Sequence, residues 1–400
     1  MSASKSIKKV NIILVIAILI LLAIILILLT NNNINKIVIS NESISKNNII
    51  NSNALTMMYE TEAGSGEYQV TSDTMWPQSG YVFNETLSKC EKGSQLTWDS
   101  ENNKVIMEAN TSDRCYVYFD VEVITLANYI INEVYTGADG DNDLYYHDGI
   151  GSYTNADQEA EDYSYRYSGE NPNNYVCFGS DEATCTEDNF YRIIGVFENQ
   201  VKLIKSTTYG SYAWDSGNNN TWDSSTKPDI YTTLNSTFLA TLNSTWQNKI
   251  ATHTFKVGGM VRDTSYTAQQ YYNIEVGNSS SSTIDNMKIG LMYVSDYGFA
   301  STPDYWTTSL MNYGNGGLSN SNWIRSREQW TISKCSNDST GVFGITMVGG
   351  VYCGQTVYQF SSRYVYIAES AFAVHPVFYL NSDVQYISGS GTQSDPFRIA

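Results

Sequence analysis

The densest cluster of potential ligand atoms in the sequence is Asp139-Gly140-Asp141-Asn142-Asp143, with Asp148 close behind. Carboxylates at alternate positions supply the hard oxygen ligands that Ca²⁺ prefers, and the run opens like a D-x-D-x-D loop. It then leaves that pattern: Leu144 stands where the loop needs its turn glycine, and Ile150 where it needs a bidentate Glu. An EF-hand is excluded. Asp139, Asp141 and Asp143 remain as an irregular calcium loop or, on the plainer reading, a solvated acidic turn. Ca²⁺ is the one cofactor the sequence offers.

The second resource is aromatic: the chain carries 31 Tyr and 8 Trp. Trp214, Trp222, Trp306, Trp323 and Trp330 lie in Gly/Asn/Ser-rich surroundings. Flat rings beside Asn and Asp can stack on a sugar and hydrogen-bond its hydroxyls, which makes Trp214, Trp306, Trp323 and Trp330 candidate ligand residues. The competing expectation is that rings such as Trp222, Trp246 and Trp323 sit in the core, because large aromatics dominate burial. Arg325 and Arg327 flank Ser326 and offer either a carboxylate or sulfate contact, for which Arg325 is the candidate, or a structural ion pair.

Catalytic motifs are missing. Only His147, His253 and His375 are present, with no H-E-x-x-H, G-x-S-x-G or P-loop pattern. A pair of acids for glycoside hydrolysis stays open, because their separation is spatial and not written in the sequence.

The chain has 400 residues and a formal net charge of −18, and only 16% of it is charged. Such an acidic excess repels polyphosphate and argues against a nucleic-acid partner. From Ile12 to Leu29 every residue is apolar, after Lys5, Lys8 and Lys9 and before Asn31, Asn32 and Asn33. A helix over residues 10–30 is long enough to cross a membrane, and the flanking lysines place residues 1–9 in the cytoplasm. The exit at Leu28-Leu29-Thr30 lacks the small-residue site of a cleaved signal peptide. The membrane is thus an expected partner through the N-terminal helix, and the remainder is expected to be extracellular.

All six cysteines follow that segment. Local spacing groups them as Cys90 with Cys115, Cys177 with Cys185, and Cys335 with Cys353, read as disulfides in an exported chain, although other pairings and free thiols are also open. Residues 31–55 read as a stalk, with Ile37-Val38-Ile39 leaving a short strand open. Residues 56–123 read as a small disulfide-stapled β-module. Its Leu96-Thr97-Trp98 and Val105-Ile106-Met107 flank a turn, and Cys115, Val117, Phe119, Val121 and Val123 alternate with polar residues. Leu126 to Tyr135 carries a helical stripe. Beyond it stand a hairpin over residues 191–205 and a helix near 234–242. A capping box is expected at Ser244 with Gln247. A buried strand is expected over Ile289 to Val294 with Ser295 as the following cap, and short strands near 342–351, 364–367 and 374–380.

Several of these segments form an ordered series: Phe190-Tyr191-Arg192-Ile193-Ile194, Asn220-Thr221-Trp222, Leu234-Asn235, Ile289 to Ala300, Asn322-Trp323-Ile324-Arg325-Ser326, and His375-Pro376-Val377-Phe378-Tyr379-Leu380-Asn381. In that order they resemble an uncharacterised domain common in surface proteins of Gram-positive gut bacteria. That domain is itself distantly similar to the C-type-lectin-like fold of formylglycine-generating and sulfatase-modifying proteins. The resemblance covers residues 136–400 and implies twisted antiparallel sheets, few helices and long variable loops. It does not imply the oxidase chemistry, which uses closely placed copper-binding cysteines. The family's usual Arg before the late proline is His375 here, a departure that removes its anion contact.

The expected fold class is therefore α+β, mostly antiparallel β: a single transmembrane helix, the small stapled module, and a larger C-type-lectin-like domain. The expected function is that of a membrane-anchored bacterial surface protein whose extracellular domain binds a glycan or protein. A structural envelope component and a carboxylate-dependent glycan-modifying enzyme are the alternatives.

Overall fold

The computed structural model describes residues 35–39, 55–71, 80–99, 104–109, 113–149, 159–261, 264, 266–277, 283–314, 321–353, 357–359, 362–364 and 371–400. The apolar run of residues 10–30 lies outside them, and among the described residues no helix is long and apolar enough to cross a membrane. The chain divides into two compact units, Met1–Val123 and Ile124–Ala400.

Unit 1 is all β. Its strands are β1 (Asn35–Ile39), β2 (Leu55–Glu60), β3 (Tyr68–Val70), β4 (Tyr81–Phe83), β5 (Lys89–Cys90), β6 (Gln95–Asp99), β7 (Lys104–Ala109) and β8 (Cys115–Val121). They form a sheet of order β1-β7-β6 and another of order β3-β2-β8-β4, with β5 also on β8. The strand left open at Ile37-Val38-Ile39 is formed as β1, antiparallel to β7. The predicted hairpin is β6–β7, in register from Gln95 opposite Glu108 to Asp99 opposite Lys104. The alternation in β8 works as expected through Phe119: Cys115, Val117 and Phe119 are buried, while Tyr116, Tyr118 and Asp120 are half-buried on the other face. It fails at Val123, which is past the end of the strand and exposed. The core is thin, with Met57, Val105, Val117 and Phe119 buried and Tyr81, Phe83, Leu96 and Trp98 packed around them. The Cys90–Cys115 disulfide joins directly paired residues of β5 and β8. At about 2–4 kcal/mol it supplements what so few buried side chains supply.

Unit 2 mixes helices with mostly antiparallel strands. In chain order the elements are α1 (Leu126–Tyr129), β9 (Leu144–Tyr146), β10 (Tyr165–Tyr167), β11 (Tyr175–Cys177), β12 (Phe190–Phe197), β13 (Gln200–Lys205) and β14 (Gly210–Ala213). Then come α2 (Asp229–Thr232), α3 (Ser244–Asn248), β15 (His253–Val257), β16 (Gly259–Met260), α4 (Ala268–Glu275), β17 (Thr283–Met287) and α5 (Val294–Phe299). The last group is β18 (Gln329–Cys335), β19 (Val342–Ile345), β20 (Val351–Cys353), β21 (Val357–Gln359), β22 (Ser362–Tyr364), β23 (Ala371–Val374), β24 (Val377–Tyr379), β25 (Tyr386–Ser388) and β26 (Arg398–Ile399).

The central sheet runs β24-β13-β12-β10-β9, with β11 pairing β12. Its spine is the predicted hairpin, β12–β13, whose residues are nearly all buried, so the sheet is covered on both faces. Gly195 marks a register shift in β12, and a side chain there would meet the Tyr165 carbonyl at 2.3 Å, so β10 can lie this close only against glycine. A second sheet runs β14-β23-β18-β19-β20 with β16 on β18. The Cys335–Cys353 disulfide staples the ends of β18 and β20, and Cys177–Cys185 closes a short loop after β11.

Two predicted caps move by one or two residues. At α3 the cap is Asn243, whose side chain accepts from Trp246 N at 3.1 Å, while Gln247 donates to the Leu242 carbonyl rather than completing a box with Ser244. At α5 the cap is Tyr293, not Ser295, and Asp296 Oδ2 accepts from the Tyr293 amide at 2.8 Å. The run Ile289 to Val294 is buried as expected, but it makes a single bridge, Gly290 to Val377, instead of a strand. Apolar periodicity reports burial, and here the tertiary context chose the conformation.

Candidate functional site

The tryptophans expected to present stacking faces point inward. Trp214, Trp222, Trp306 and Trp330 are fully buried and Trp323 is 7% exposed. Each indole N–H is spent on the protein: Trp214 on Thr331 O, Trp222 on Asp285 Oδ2, Trp306 on Ser301 O, Trp323 on Tyr167 O and Trp330 on Tyr212 O, all at 2.8–3.3 Å. The candidate ligand residues Trp214, Trp306, Trp323 and Trp330 thus have their indole donors satisfied within the fold. Polar, glycine-rich neighbours locate the loops but not the direction of the ring. Arg325 is half-buried and donates from Nη2 to Met347 O at 2.9 Å.

The acidic run is occupied locally. Asp139 Oδ1 accepts from Tyr135 Oη at 3.1 Å and Tyr146 N at 2.8 Å, and Asp141 Oδ2 accepts from Thr136 Oγ1 at 2.6 Å. Asp143 lies on left-handed backbone at the turn into β9. Among the described residues, the only three potential metal ligands that converge are Cys90, Asp113 and Cys115, and two of these are sulfurs of one disulfide. Asp139, Asp141 and Asp143 are not brought together.

What unit 2 does form is a cleft of about 420 Å³ between the disulfide loop and the C-terminal hairpin. One wall is the loop after β11, with Ser180, Asp181 and Glu182; the other is β25, β26 and their connecting turn, with Ile387, Ser388, Asp395 and Arg398. Local chemistry builds each wall. The Cys177–Cys185 bridge holds the loop in a tight fold. Asp395 Oδ2 accepts from Ser390 N at 2.9 Å, which closes the turn of the hairpin. Arg398 ties the walls together, donating from Nη1 to Glu182 O at 2.8 Å and from Nη2 to Ala183 O at 2.5 Å.

Trp246, on α3, also lines the cleft and is 1% exposed. Its Nε1–H is buried and has no acceptor among the described residues. Ile387 is 54% exposed at the rim. The lining combines three hydroxyls, three carboxylates, one guanidinium and a small apolar step. It holds no histidine, and no nucleophile paired with a base. From sequence only Cys177, as a disulfide partner, and Trp246, as a core ring, stand out in this lining; the rest do not, because three distant segments meet here. The turn-forming stretch Ser388-Gly389-Ser390-Gly391 beside the exposed Ile387 is the one local signal that could have drawn attention.

A second cluster lies in the interior, where α5 meets the central sheet. Arg166 pairs with Asp162 at 2.6 Å and with Asp296 at 3.5 Å, and Lys202 Nζ lies 2.5 Å from Asp296 Oδ2. Arg166, Lys202 and Asp296 side chains are at most 3% exposed. Glu275 is also buried and accepts from the Val294 and Ser295 amides at 3.0 Å, and burial pushes its carboxyl up to about 7. His147 packs against Phe299 and Trp306, accepts from Ala160 N at 3.1 Å, and is pushed by burial down to about 3.

These shifts oppose one another in pH. His147 is neutral when folded, so its contribution is present above 6.5 and is lost as acid protonates the unfolded chain, down toward about 3. Glu275 contributes below 4.5, and that stability is lost as pH rises toward about 7. Replacing His147 by Leu is expected to flatten the rise of unfolding free energy between about pH 5 and 6 by about 1.4 kcal/mol per pH unit. Denaturant melts at several pH values read that slope directly, and an unchanged slope would place a protonatable imidazole in the folded state.

No family model matches the chain, and neither the curated proteins nor the solved structures contain a match.

Proposed function

We propose that the protein is a surface-displayed binding protein: the apolar helix of residues 10–30 anchors it, unit 2 faces outward, and the cleft beside the Cys177–Cys185 loop takes a neutral, hydroxyl-rich ligand, a glycan end. The observation that supports this reading is a cleft lined by three serine hydroxyls, the carboxylates of Asp181, Glu182 and Asp395, the Arg398 guanidinium and the exposed Ile387. A sugar hydroxyl both donates and accepts, so it can meet a carboxylate and a serine hydroxyl at once. Asp181, Glu182 and Asp395 disfavour an anionic ligand. The apolar face of a pyranose ring fits the step formed by Ile387.

The test is a glycan and mucin array probed with the full-length protein in detergent micelles, followed by titration of the best ligand. Asp181→Ala removes one carboxylate acceptor from the cleft wall. It is expected to weaken binding about 10-fold or more, the worth of one hydrogen bond to a charged group. Undiminished affinity in that variant would move the site elsewhere, and an array without any binding would overturn the carbohydrate reading.

A further inference from the structure

The contact between Lys202 and Asp296 is closer and drier than an ion pair needs to be. Lys202 projects from β13 and its side chain is fully buried; Asp296 projects from the first turn of α5 and is 1% exposed. The ammonium is enclosed by rings, 4.3 Å from the centre of Tyr293, 5.3 Å from Tyr379 and 5.4 Å from Phe197. Asp296 is fixed from three directions: Lys202 and the Tyr293 amide meet Oδ2, and Arg166 lies 3.5 Å from Oδ1. Holding two charges in such surroundings costs several kcal/mol of lost hydration per ion.

We propose that Lys202 and Asp296 are joined by an intramolecular isopeptide bond, formed spontaneously once the fold brings them together. The ion pair already contains every atom the reaction needs. Transfer of one proton from Nζ to the carboxylate gives a neutral amine and a neutral acid. The nitrogen lone pair attacks Cγ, the new C–N bond forms, and negative charge develops on Oδ1 beside the Arg166 guanidinium. Collapse breaks the C–Oδ2 bond. Oδ2 leaves as water with two of the three nitrogen hydrogens, and the third remains on the amide. Nothing is oxidised or reduced, and no cofactor is required.

Three features of the site favour this step. Burial depresses the basicity of Lys202, which eases loss of its proton. Arg166 is placed to stabilise the oxyanion. The rigid contact replaces a bimolecular encounter, which is where intramolecular reactions gain most of their rate. The product is a neutral amide, so the charges that were costly to bury disappear and β13 is tied covalently to α5.

The experiment is intact mass spectrometry of the full-length protein after complete reduction and denaturation, followed by tryptic mapping. The expected mass is one water below that of the sequence. Trypsin is expected not to cut after Lys202, and a branched peptide is expected to connect the Lys202 segment to the Asp296 segment. Lys202→Arg is expected to recover the missing water. A full sequence mass with normal cleavage after Lys202 would overturn the proposal, and so would a lost water that maps to any other residue.

Discussion

Arg166→Met is expected to lower the unfolding free energy of unit 2 by about 3–5 kcal/mol, the usual consequence of removing one partner from a buried ionic group. The guanidinium donates to Asp162 and to Ser164, faces Asp296, and lies over the rings of Phe197, Tyr272 and Phe299. Methionine replaces the volume but leaves the Asp162 carboxylate without its cation. Arg166→Lys restores a charge but not the planar fork that bonds Asp162 and Ser164 together, so it is expected to recover only part of the loss. Denaturant melts followed by tryptophan fluorescence report this, because most tryptophans belong to unit 2. A loss below about 0.5 kcal/mol, the ordinary range of a surface substitution, would mean that the network is not integral to the fold.

Trp222→Ala is expected to cost about 3–5 kcal/mol, as large-to-small changes of buried aromatics do. The ring is fully buried, stands edge-on to Trp214 with centroids 5.3 Å apart, and donates to Asp285. Asp285 keeps its ion pair with Lys227, so the carboxylate is not wholly stranded. Phenylalanine at this position is expected to lose less, since it fills most of the space and forfeits one hydrogen bond. The readout also separates two roles for this class of residue. A tryptophan that stacks on sugar would, when removed, abolish binding and leave the melting curve in place. For Trp222 the melting curve is expected to move first.

The parts of the fold visible in the sequence are those decided by neighbouring residues. The hairpin β12–β13 was legible because an apolar run is interrupted by Glu198-Asn199-Gln200 and resumes, and β8 because period-two alternation is a local property. The three disulfides followed the local pairing of cysteines. The pairing of β24 with β13 was not legible, since it joins residues far apart in the chain. Neither was α4, whose polar composition, Ala-Gln-Gln-Tyr-Tyr-Asn-Ile-Glu, hides a capping box at Thr267 and Gln270. The cap of α5 was misplaced because serine is the usual capping residue, whereas here Asp296 reaches back to its own helix start while serving two cations. Ring direction decided the site. Trp214, Trp306 and Trp330 sit in loop-like sequence yet turn inward, while Trp246 lies in the core as expected and also borders the cleft.

The walls of that cleft differ in when they can exist. The Cys177–Cys185 loop closes within its own segment, and its bridge can form while the rest of unit 2 is still being synthesised. The facing wall is made by β25 and β26, and the clasp between the walls is Arg398, whose partners Glu182 and Ala183 lie 216 and 215 residues away along the chain. One wall is thus held covalently and locally, the other by hydrogen bonds between segments that meet only when unit 2 is folded. Partial unfolding of unit 2 is expected to release the clasp while the disulfide loop keeps its shape.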